Sequence, residues 1–81
     1  MNRKIIYKLK LVRQELYEIN YLTKEEMEEQ SSLLLELQEK KLPKAVDVEE
    51  EMGYLEETQK LIDNLLEGIE QIDIEDMEVH H

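Results

Sequence analysis

Residues 47–71 read DVEEEMGYLEETQKLIDNLLEGIEQ, and this stretch decides the class of the fold. Val48, Met52, Leu55, Gln59, Ile62, Leu66 and Ile69 recur at alternating spacings of four and three, the signature of one helix face turned towards a partner. Leu61, Leu65 and Ile72 form a second register that widens the apolar stripe towards its end. Leu, Glu, Lys and Gln dominate, and they lose little rotamer freedom in a helix. Asp47 reads as an N-cap with Glu50 completing a capping box. The expected helix is the longest of the chain, overhanging its neighbours and exposing apolar surface for association.

Working outward, Leu42 and Pro43 mark the clearest boundary. Proline disfavours helix at the preceding residue and has no N–H to donate. Before it, residues 24–41 carry Met27, Leu34 and Leu37 on one seam, with Gln30 as its polar member and Leu33 and Leu35 to either side. Acids at its start and Lys40 and Lys41 at its end suit the helix dipole. Residues 3–19 show Ile5, Leu9, Val12, Leu16 and Ile19 at seam spacing, widened by Ile6, Leu11 and Tyr17. Asn20-Tyr21-Leu22 reads as a break, followed by a Thr23–Glu26 capping box and a staple from Leu22 to Met27. One uninterrupted rod through Thr23 is the alternative. Residues 73–81 alternate apolar and acidic and read as a frayed terminus. The expected fold is all-α: a two- to three-helix hairpin or bundle in a single domain, 1–81, with a long C-terminal helix.

Eighty-one residues make one small domain with a thin stability margin. There is no cysteine, hence no disulfide or thiolate metal site, and the core must come from helix packing, self-association or both. This fits a cytoplasmic protein. The basic N-terminus lacks the continuous apolar run of a signal peptide. Residues 1–13 hold five cations and no acid, so the rest of a chain of net charge −11 carries −16. Such an acidic body repels nucleic acid and anionic lipid and attracts basic proteins.

The candidate functional residues are acids. Glu49, Glu56, Asp63 and Glu70 repeat every seven residues beside the seam, joined by Glu50, Glu57 and Glu67, with Asp73, Glu75 and Asp76 beyond. From residue 45 onward, thirteen acids face one base, Lys60. Like charges on neighbouring turns cost a few tenths of a kcal/mol, so this row reads either as a negative surface for a basic partner or as solubilising charge. The basic start opposes the dipole of its own helix. In an up-down-up arrangement, Lys4 and Lys8 would pair with Glu49 to Glu51. The dimer-interface candidates are Leu61, Ile62, Leu65, Leu66, Ile69 and Ile72. Four tyrosines, the only aromatics, suit bundle edges or an interface.

Catalysis has little support. Ser31 and Ser32 have no histidine partner, no phosphate-cradling glycine loop occurs, and the paired Glu-x-x-His motifs of di-metal bundles are lacking. Residues 73–78 have neither the length nor the glycine of a calcium loop. His80 and His81 read as a tag remnant or an unstructured end. No cofactor or metal is expected. In size, charge and helical content the chain resembles the small acidic DNA-mimic inhibitors found among phage proteins. That resemblance implies an inhibitor competing with DNA for a nucleoid or other DNA-binding protein, while the wide apolar stripe of residues 61–72 points to a homodimer. A coiled-coil assembly adaptor and an antitoxin-like partner of a basic protein are the alternatives.

Overall fold

A computed structural model describes residues 2–79. His80 and His81 lie outside the described residues. Helix α1 spans Arg3–Glu39, α2 spans Ala45–Glu70 and α3 spans Ile74–Val79. No strand occurs among the described residues, and the class is all-α, as expected. The first two helices fold back on each other as an antiparallel hairpin 60 Å long and 15 Å wide.

The expected break at residues 20–22 does not form. α1 runs 37 residues through Asn20, Tyr21, Leu22 and Thr23 and is the longest helix, so the long element is N-terminal rather than C-terminal. The reason is phase. The more buried residues of α1 fall at Ile6, Leu9, Arg13, Leu16, Asn20, Thr23, Met27, Gln30, Leu34 and Leu37, one continuous alternation of three and four. A cap at Thr23 would end a seam that continues on both sides of it. Thr23 is buried in that seam, Glu26 accepts from Gln30 instead of closing a capping box, and Leu22 stays exposed rather than stapling to Met27. The first-segment seam is correspondingly shifted. Leu9 and Leu16 belong to it, but Ile5, Val12 and Ile19 lie outside, because Arg13 and Asn20 hold positions that an apolar pattern passes over. On α2 the seam from Val48 to Ile69 is the one read from the sequence, extended to Ala45.

The turn is built by the end of α1. Leu42 N–H donates to the Leu37 carbonyl at 3.0 Å and Lys41 N–H to that of Gln38 at 3.1 Å, a Schellman closure. Lys41 takes the left-handed conformation, φ 55°, where glycine is the usual residue. Pro43 presets the chain for helix, and α2 starts at Ala45 with Lys44 as an N-cap that makes no side-chain bond. Asp47 therefore sits inside the first turn, answering the dipole rather than capping.

The main apolar core lies at the end opposite the turn. Ile6, Leu16, Ile62, Leu66, Ile69 and Ile74 pack together, with Leu9, Ile72 and Met77 against them. Leu37 and Val48 are buried near the turn. Between them the seam turns polar, where Gln59 donates to Asn20 and Asp63, and its own Oε1 is buried without a partner among the described residues. Within the described residues the tail is not frayed but forms α3. Ile74 is the deepest side chain, at 0% exposure, and Asp73 caps α3 by accepting from the Asp76 N–H at 2.9 Å.

Two stability outcomes follow from burial and backbone conformation. Ile74→Ala should cost about 2–4 kcal/mol in urea unfolding. Lys41→Gly should add about 1 kcal/mol by relieving the left-handed strain. A neutral Ile74→Ala would mean that α3 does not hold the core.

Candidate interaction surfaces

The heptad frame gives the hairpin two different edges. On one, α1 presents Lys10, Tyr17, Lys24, Ser31 and Gln38, and α2 presents Glu49, Glu56, Asp63 and Glu70. This is the acidic row, and it borders the seam as its spacing implied. It is partly engaged within the chain. Gln38 donates to Glu49 at 2.9 Å, the Tyr17 hydroxyl donates to Glu70, and Gln59 donates to Asp63 at 2.9 Å. Donation to a carboxylate pushes the Tyr17 hydroxyl pKa above its ordinary value, because the proton is held by Glu70.

α3 continues this edge past the end of α2. Arg13 meets Glu75 through Nη2 at 2.8 Å and Nη1 at 3.4 Å, and Lys10 pairs with Glu78. The basic start is thus answered by the acidic tail. Pairing of Lys4 and Lys8 with Glu49 to Glu51 within the chain is excluded by topology. In a hairpin the start of α1 and the start of α2 stand at opposite ends. The hydrogen bonds from Arg13 hold the Glu75 carboxyl below the usual carboxylate range, and Glu75 in turn raises the Arg13 guanidinium. Neither Lys10 nor Glu78 stood out in the sequence. The signal was the unmet charge of residues 1–13 beside an alternating tail, legible only once the tail is known to return along α1.

All ten acids named from the sequence are exposed. They do not form one surface. Glu49, Asp63 and Glu70 are bonded along the seam edge, Asp73 caps α3, and Glu75 is tied to Arg13. Asp76 presents its backbone N–H to that cap. Glu50, Glu56, Glu57 and Glu67 accept no hydrogen bond or ion pair from any described residue; Glu56 stands on the seam edge, and Glu50, Glu57 and Glu67 form the outward group on α2.

The interface candidates divide as well. Ile62, Leu66 and Ile69 are consumed by the intrachain core, and Ile72 packs against it half-buried. Leu61 and Leu65 remain outside, 59% and 48% exposed. They lie on the second edge, opposite the bonded one, at the level of Ile19 and Leu22 of α1, and Ile5 and Val12 continue the same edge beyond the end of α2. A shallow apolar groove there is lined by Lys4, Ile5, Lys8, Leu9 and Val12. All four tyrosines are exposed. Among the described residues no cluster of three or more His, Asp or Glu could hold a metal ion, and no helix is long and apolar enough to cross a membrane. No known protein family, curated protein or solved structure matches the chain.

The Arg13–Glu75 pair makes the seat of α3 acid-sensitive. Because the folded state favours ionised Glu75, its contribution is complete above the ordinary carboxylate range. It is lost as pH falls below about 4, through that range and the lower folded value. The α3 amides should therefore exchange modestly faster in acid, after correction for intrinsic rates, while the buried Ile74 methyl keeps its folded shift and α1 and α2 keep their helicity. Protection of α3 that is identical at about pH 3 and about pH 7 would count against a contribution from this pair.

Proposed function

We propose that the chain is a non-enzymatic acidic interaction protein that binds a basic, DNA-binding protein and competes with its nucleic acid. The observation that carries this reading is the division of its carboxylates. Some acids answer the dipole, the seam edge or the basic start. Glu50, Glu57 and Glu67 do none of these, and they are displayed on one helix of 26 residues. Like-charge neighbours on a helix cost stability, so their retention has no account in the fold itself. A rigid row of carboxylates offers a basic protein fixed negative charge in place of phosphates. Charge of one sign steers such an encounter and makes it salt-dependent.

In this proposal the work is done inside the cytoplasm, without a cofactor. The second reading is an assembly adaptor that pairs through apolar contact. It is favoured by the exposed row Ile5, Val12 and Ile19 with Leu61 and Leu65.

The two readings separate in one experiment. The chain is immobilised and challenged with host lysate, and bound proteins are eluted by salt or by duplex DNA. The proposal expects basic proteins that leave with either eluant. Reversal of Glu50, Glu57 and Glu67 to lysine should weaken their binding by roughly 100-fold at low salt with helicity intact. Binding that withstands both high salt and the triple reversal would sink the acidic reading in favour of the adaptor.

A further inference from the structure

The two edges of the hairpin differ in kind. The bonded edge is held by Lys10–Glu78, Tyr17–Glu70 and Gln38–Glu49. In an antiparallel pair of heptad helices, bonds across one edge place the remaining flanking positions of both helices together on the other. That open edge carries Ile5, Val12, Ile19 and Leu22 of α1, exposed at 50%, 48%, 43% and 54%, together with Leu61 and Leu65 of α2. Side chains that could have been polar at no cost to the hairpin are aliphatic here. The strip from residue 5 to residue 22 is about 25 Å long.

We propose that a second copy of this chain covers this edge, its α1 antiparallel to the first across a two-fold axis at Val12, so that the two α1 starts pair at the centre and each hairpin extends away from the axis. The chain's own spacing argues for this occupant. Ile5 and Ile19 stand seven residues to either side of Val12. A two-fold axis there sets Val12 on its own mate and each Ile5 on the other copy's Ile19. Such reciprocity is what an isologous interface requires. The same line of α1 carries Lys8 and Glu15, exposed and opposite in sign, on either side of Val12. The axis brings Lys8 of each copy beside Glu15 of the other, twice. A parallel pairing would instead put lysine on lysine and glutamate on glutamate.

The contact area also fits. The strip and its flanks amount to roughly 500 Å² per copy, the lower bound for a specific pair, which places it among the small, reversible interfaces. This inference does not rest on the acidic-partner reading, because the acids of that reading lie on α2 away from this edge.

The chain has no cysteine, so one can be placed where the axis falls. Val12→Cys should form an intermolecular disulfide under mild oxidation, whereas Gln14→Cys, on the far face of α1, should remain a thiol. Sedimentation equilibrium of the full chain at roughly 100 µM and about 150 mM salt, where mutual repulsion is screened, should give twice the chain mass of 9.8 kDa. Lys8→Glu should weaken association by roughly tenfold, and adding Glu15→Lys should restore it. A monomer under these conditions overturns the proposal. So does equal oxidation of the two cysteine variants, or a dimer indifferent to Lys8→Glu. A monomer that still captures basic proteins leaves the acidic reading standing, and a dimer that captures none leaves this one.

Discussion

The structure depends on one heptad phase held without a slip along α1 from Ile6 to Leu37 and matched along α2 from Ala45 to Ile69. Left-handed packing of two helices tolerates no change of phase, because each insertion would rotate the buried row off its partner. This constraint explains why α1 runs straight through a sequence that offers a cap. It also explains why polar residues stand in the seam. Asn20, Thr23, Gln30 and Gln59 are carried there by position, and Asn20 and Gln59 meet. A polar pair at seam positions costs stability and sets register. In a hairpin with its main core at one end, register is what brings Leu16 and Ile62 into the same cluster.

The second determinant is electrostatic. A cationic helix start is unfavourable by itself, and the tail removes the difficulty by returning along α1 with Glu75 and Glu78. The pairs are exposed, and exposed pairs add little stability individually. The burial of Ile74 supplies the larger part of the attachment, and the ion pairs set the direction in which α3 runs. Charge and apolar burial thus act on the same short segment, which makes the open end of the hairpin its best-packed part.

With the cations of residues 10 and 13 engaged, the surface sorts into regions. One edge is bonded between helices, the opposite edge is aliphatic from Ile5 to Leu22 of α1 and at Leu61 and Leu65 of α2, and the outer side of α2 bears glutamates that bond to nothing described. The aliphatic edge and the outer glutamates lie apart on the hairpin. A covered aliphatic edge would leave the glutamates displayed, and doubled by symmetry.

Most of α2 was legible in the sequence because its seam is apolar at nearly every turn and its acids repeat beside it. The all-helical class followed from composition, and the boundary near Pro43 from the geometry of proline. What the sequence alone could not determine was the continuity of α1, whose seam is interrupted by Arg13, Asn20, Thr23 and Gln30. A pattern of apolar residues selects the neighbouring row through Ile5, Val12 and Ile19, which tertiary packing leaves in solvent. Nor could it place the tail. A run such as Asp73-Ile74-Glu75 has equal claims to solvent and to a core. Only a hairpin whose shorter second helix stops beside Tyr17 leaves Ile6 and Leu9 uncovered, and that vacancy is what draws Ile74 in and sets Glu75 against Arg13.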